Sequence, residues 1–271
     1  MKKMLSRPLI WCFAALLFAG CGFQKIRKSA DWEVKYKAAM DYYEEKDYYR
    51  SNLLLEDILP IIRGTEEAEL ANFIYAYTYY HQDQFILSAH YFETFSQVYS
   101  RSEYAMEAEY MYAYSMYQQS PIAELDQTST FEAISALQLF INKYPTAEYA
   151  VTADQIIDEL QVKLEEKAYE NAKIYYTIKR YKAALIAFEN FRKDYPDSDY
   201  QDEIAFYAVD AAYQYAMVSV VERQKERFET AVEKYQYMVD RFPTSDYIKL
   251  AEEVYVKTIE ELANFADQKN S

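Results

Sequence analysis

Glycine is the scarcest punctuation in this chain, with 3 residues in 271 beside 6 prolines, 2 cysteines and 2 histidines. Only Gly22 and Gly64 lie beyond residues 1–20, so phosphate-cradling loops and tight β-hairpins have almost nothing to be made from. An all-helical chain follows. His81 and His90 have no cysteine to join them, and no spacing singles out a carboxylate cluster that could complete a metal site. The adjacent acids Glu44-Glu45 and Glu165-Glu166 point to different sides of a helix, as on solvated faces and unlike a paired acid and base. With no nucleophile, metal box or glycine loop, the sequence reads as a non-enzyme without a cofactor. Positive charge is also short, with 29 basic residues against 44 acidic and a net charge of −15, which argues against binding a phosphate backbone and so against nucleic acid.

What the chain does have is a recurring hexapeptide. Tyr195 to Tyr200 (YPDSDY) returns as Tyr144 to Tyr149 (YPTAEY) and Phe242 to Tyr247 (FPTSDY), with a degenerate copy, YSRSEY, at Tyr99 to Tyr104. Upstream of each copy runs one frame: Ala184, Phe188, Phe191, Pro196; Ala133, Leu137, Phe140, Pro145; Ala231, Tyr235, Met238, Pro243. Ser88, Phe92, Phe95, Ser100 fits, and Ser51, Leu55, Ile58, Arg63 is the faintest member. A small residue lets a partner helix approach, the next two fall on the same helical face, and proline stops the helix. An acid with Thr or Ser nearby is then expected to cap the next helix. This pattern is the second-helix half of a tetratricopeptide repeat. It predicts an all-α, right-handed α-solenoid of about five such helix pairs plus a C-terminal capping helix.

The repeats are uneven. Repeats one and two, within 32–102, have standard turns, with core pairs Ala39/Tyr42 and Ala76/Tyr79 on their first helices. Repeats three to five and the cap fall within 103–265. The third carries a long Gln118 to Thr130 turn, and Ala150 to Lys179 reads as one long helix or two joined end to end, with no Pro or Gly to break it. Residues 248–265 suit a cap, and 266–271 a frayed tail.

Residues 1–20 combine Lys2, Lys3 and Arg7 with an apolar run from Leu9 to Phe18, too short to span a bilayer and suited to a secretory signal. Leu17-Phe18-Ala19-Gly20-Cys21 resembles the lipobox of bacterial lipoproteins, with Phe18 where Leu is usual. That likeness makes Cys21 the lipidation site and 21–31 a lipidated tether. Loss of residues 1–20 removes Cys12 and three cations, leaving 26 basic residues against 44 acidic, or −18. Several acyl chains would hold such a protein on a membrane.

The aromatic content exceeds what helix packing needs, with 31 tyrosines. Beside the core pairs of repeats one and two runs a second stripe: Tyr36, Met40, Tyr43 and Phe73, Tyr77, Tyr80. About 100° from the core pair, it makes each first helix apolar on two faces. Either these side chains pack against neighbouring repeats, or they line a groove that captures an extended peptide, to which a tyrosine ring and hydroxyl are both suited.

The lipobox, the irregular repeats, and repeat endings such as Phe140 to Pro145 and Arg192 to Asp197 resemble the BamD (ComL) family of outer-membrane β-barrel assembly lipoproteins. The likeness spans essentially the whole mature chain. It implies a lipid-anchored, periplasm-facing subunit of the outer membrane, whose early repeats recognise unfolded barrel proteins and whose later repeats bind the periplasmic domains of BamA, beside other assembly-machine subunits. A tetratricopeptide scaffold lipoprotein of a secretion or cell-wall complex is the alternative reading.

Overall fold

The computed structural model describes residues 22–269, with side chains to residue 265. The expected signal segment 1–20 and Cys21 lie outside that span, as do residues 270–271. Among the described residues there are twelve helices and no strand. They fall into two compact units divided after Leu160.

In the first unit, α1 (residues 22–27) is followed by α2 (Trp32–Glu44), α3 (Tyr48–Ile58), α4 (Glu67–Tyr80), α5 (Phe85–Val98), α6 (Ala105–Gln118) and α7 (Thr128–Lys143). Helices pair as α2 with α3, α4 with α5 and α6 with α7, and each pair stacks on the next through α3 against α4 and α5 against α6. Within the expected tether, α1 buries Phe23 edge-on to Tyr42, with Arg50 over its ring. The second unit holds α9 (Tyr181–Asp194), α10 (Gln201–Met217), α11 (Val221–Arg241) and α12 (Ile248–Lys269), each packed on the next. Between α7 and α9 runs α8 (Glu148–Thr177), a single 30-residue helix. Of the two forms open to the Ala150 to Lys179 stretch, it takes the unbroken one.

The frame found in the sequence is the core. Ser51, Leu55, Ile58; Ser88, Phe92, Phe95; Ala133, Leu137, Phe140; Ala184, Phe188, Phe191; and Ala231 with Met238 are all buried, and only Tyr235 of the set stays half-exposed. On the first helices Ala39 and Ala76 are fully buried, as expected.

The hexapeptide acts at both of its ends. Its first aromatic closes the second helix: the N–H of Tyr99, Tyr144, Tyr195 and Phe242 each donates to the carbonyl four residues back, at 2.8 to 2.9 Å. Its last tyrosine stacks on an aromatic of the preceding first helix: Tyr104 on Phe73 (4.8 Å), Tyr149 on Tyr110 (4.4 Å), Tyr200 on Tyr169 (4.1 Å) and Tyr247 on Phe206 (5.7 Å). The expected acidic cap is corrected here. The serine hydroxyl turns the chain, with Ser102, Ser198 and Ser245 accepting the N–H two residues on. Two of these serines also donate back to an acid of the preceding first helix, Ser102 to Glu69 and Ser245 to Asp202.

Glycine scarcity has a visible consequence inside the pairs. Lys46, Asp83 and Lys179 occupy the left-handed region, with φ of 64°, 57° and 59°, a conformation glycine adopts at no steric cost. Each allows the N–H of the following residue to reach the carbonyl five residues back in the helix just ended, closing that helix end.

Two buried hydroxyls at the same frame position differ in partner. Ser88 Oγ pairs with Ser115 Oγ at 2.9 Å, whereas Ser51 Oγ has no hydrogen-bond partner. Thermal unfolding should separate them. Ser51→Ala should leave the chain as stable or more stable, by up to about 1 kcal/mol, and Ser88→Ala should destabilise it by about 1–2 kcal/mol through the orphaned Ser115.

Candidate functional site

The aromatic stripe continues further than the first two repeats. Tyr36, Phe73 and Tyr110 are spaced by 37 residues, as are Met40, Tyr77 and Tyr114, and Tyr43, Tyr80 and Tyr117. They occupy matching turns of α2, α4 and α6. The third repeat's share, Tyr110, Tyr114 and Tyr117, was not singled out in the sequence because its second helix is displaced by the long turn, although the first-helix spacing is intact.

The three positions of the stripe behave differently. At the first, Phe73 is corrected from a groove candidate to a core residue: it is 4% exposed, set among Phe92, Phe95 and the stacked Tyr104. Tyr110 is covered in the same way by Tyr149. Tyr36, in the repeat whose ending lacks the hexapeptide tyrosine, stays half-buried. In α4 and α6 the hexapeptide's closing tyrosine therefore covers this position. At the second and third positions Met40, Tyr43, Tyr77, Tyr80, Tyr114 and Tyr117 are all half-buried.

These rings form a connected face. Tyr80 lies 6.1 Å from Tyr114, which meets Tyr117 at 5.5 Å and Tyr110 at 5.7 Å. His81, ending α4, joins the first repeat to the second: it stacks on Tyr48 at 4.2 Å and lies 6.0 Å from Tyr43 and 5.8 Å from Tyr77. Its pKa is lowered by burial and by Lys46.

Two carboxylates orient the phenols. The Tyr77 hydroxyl donates to Glu107 Oε1, and the Tyr117 hydroxyl reaches both oxygens of Glu159 at 3.0 Å. Burial pushes Tyr43 up to about 12, with Tyr48 and Glu107 adding to it, and Tyr110 likewise to about 12. Tyr77 is raised by burial and then by its bond to Glu107, and Tyr80 by burial and then Tyr114. At neutral pH these hydroxyls are protonated donors, each carried on an apolar ring. Such a face can stack on side chains and, through the Tyr77 and Tyr117 oxygens whose protons go to Glu107 and Glu159, accept from backbone N–H groups, and it is poorly built to exchange protons.

Among the described residues no group of three or more His, Cys, Asp or Glu is placed to hold a metal ion, and no helix is long and apolar enough to cross a membrane.

A family model described as "YfiO: Outer membrane lipoprotein" matches residues 29–214 and again 162–266. The chain belongs to this family. As a YfiO-family protein it associates with the outer membrane, and the BamD-like resemblance of its repeats is supported at the family level. The two matches overlap over 162–214, as a model of repeated helix pairs does when it can be laid on the chain in more than one register. No curated protein sequence matches this YfiO-family chain.

The raised phenol pKa values fix a pH dependence. In the unfolded chain tyrosine ionises near 10, while folded Tyr43 and Tyr110 hold their protons to about 12. Their contribution to stability is therefore complete below pH 10 and is lost as pH rises towards 12. Denaturant midpoints measured from pH 9 to 12 should fall over that interval, and Tyr110→Phe should flatten the fall.

Proposed function

We propose that this chain is a non-catalytic outer-membrane lipoprotein of the β-barrel assembly machine, anchored through Cys21 and facing the periplasm. Its first-unit aromatic face captures unfolded barrel proteins, and its later repeats bind the periplasmic domains of BamA. The observation that carries the reading is the run of half-buried Met40, Tyr43, Tyr77, Tyr80, Tyr114 and Tyr117 along three successive first helices. Their own repeats leave these side chains partly uncovered, unlike Phe73 and Tyr110. Membership of an outer membrane lipoprotein family supports the setting.

The chemistry fits the guest. Transmembrane strands alternate apolar and polar residues over about ten positions, so an extended segment offers rings or aliphatics to one side and free carbonyls along its length. Half-buried rings meet the apolar side chains, and the Tyr77 and Tyr117 oxygens can accept from the segment's equally free N–H groups. Tyr36 adds a ring at the open end of the row, and Glu107 and Glu159 hold the Tyr77 and Tyr117 hydroxyls in place.

Two measurements test this. Tyr77→Ala with Tyr80→Ala should weaken binding of a C-terminal barrel-protein peptide at least about fivefold, on the scale of the 0.5–1.5 kcal/mol that one aromatic contact contributes. Unchanged affinity contradicts the groove. Purification of the lipidated chain from outer membranes should recover BamA, whereas recovery of secretion or peptidoglycan-bound proteins without BamA contradicts the assembly role.

A further inference from the structure

The second unit carries an apolar surface of another kind. Ile174, Ile178, Ile186, Val218, Val220 and Val221 are each between 54% and 69% exposed. They gather at one end of the unit, around the turn between α8 and α9 and the turn between α10 and α11. A recess of about 360 Å³ opens between these turns, walled by Ile186, Tyr215 and Val218 and rimmed by Lys179, Arg180 and Lys182. Tyr215 is held from another side by Arg227, whose guanidinium carbon lies 3.9 Å from the ring centroid.

The rim is cationic in a chain of net charge −15. Lys179, Arg180 and Lys182 are exposed, and none takes part in any of the ion pairs formed among the described residues. The neighbouring charges on α9 are used differently: Arg192 and Lys193 both pair with Glu189. Three unpaired cations around an apolar recess call for an anionic and apolar occupant. A bilayer bearing acidic headgroups is the poorer match, because the remaining surface, strongly acidic, is repelled by an extended anionic plane. A single polypeptide segment meets the cations within about one Debye length, roughly 8 Å at physiological salt, and is screened from the rest.

We propose that this recess is a docking site for an acidic, apolar segment of a partner protein. An aliphatic or aromatic side chain enters between Ile186, Tyr215 and Val218, and a neighbouring carboxylate meets Lys179, Arg180 and Lys182. The inference deepens the adaptor reading above and rests on it for the existence of a second partner, bound apart from the aromatic face of α2, α4 and α6.

The test uses the full chain and a fluorescein-labelled peptide alternating glutamate and leucine, read by anisotropy at low and physiological salt. Wild type should bind it, more weakly as salt rises, and should not bind the lysine-leucine counterpart. K179E/R180E/K182E should lower affinity at least about tenfold, and Val218→Glu, on an exposed turn, should do the same without removing a cation. Tyr77→Ala with Tyr80→Ala should leave this peptide's binding unchanged while weakening the barrel peptide, so that failure of one site is distinguishable from failure of the other. Equal binding by the charge-reversed chain, absence of binding by wild type, or loss of the acidic peptide in the tyrosine variant would each overturn the assignment. So would cation-dependent binding to phosphatidylglycerol vesicles in place of the peptide.

Discussion

Close approach of helices at a small side chain is the constraint from which the rest of the structure follows. Ala39, Ala76, Ala133, Ala184 and Ala231, with Ser51 and Ser88, are buried where one helix crosses its partner. On the second helices the large residues four and seven positions later then fill the core, all buried except the half-exposed Tyr235. Because each pair buries its apolar face only against its neighbours, the core is distributed along the chain. The remaining surface of the first helices is thereby left free to vary.

That freedom is where tyrosine is spent, in two distinct ways. One set is internal: the hexapeptide's two aromatics close a helix and clamp it to the preceding pair, as Tyr144 and Tyr149 do against Phe140 and Tyr110. The other set, at the second and third stripe positions, stays half-uncovered and presents five phenols and the Met40 side chain. Of the two readings open at the level of sequence, internal packing accounts for Phe73 and Tyr110, and the half-covered second and third positions are those the proposed groove uses. The second unit builds the rings of its first helices into polar networks instead. Tyr176 donates to Asp210, and Lys173 meets the Tyr169 hydroxyl and Glu203 while lying over the Tyr207 ring. Chemistry is consequently divided along one repeating architecture.

The core was legible from sequence because it obeys local rules: a small residue, two large ones at helical spacing, and proline. Even the faint Ser51, Leu55, Ile58 member is buried throughout. The site was legible only in part. Phe73 and Tyr77 are equivalent in composition and spacing, and what separates them is Tyr104, about thirty residues away, which covers one and leaves the other. The helix caps misled for a similar reason, since serine and its neighbouring acid both favour such positions and only the fold shows which one bonds the backbone. Tyr110, Tyr114 and Tyr117 required the 37-residue first-helix spacing, which the stretched Gln118 to Thr130 turn conceals when repeats are aligned on their second helices.

The proposed role requires a polypeptide guest lying across the rings of α2, α4 and α6. A photo-crosslinking side chain placed at Tyr114 in the full-length lipoprotein, within cells making barrel proteins, reports that contact directly. The result in agreement is crosslinks from position 114 to unfolded barrel proteins, and none when the same group replaces Leu139, which is exposed on α7. Crosslinks from 139 alone, or from 114 only to other residues of the same chain, would contradict it.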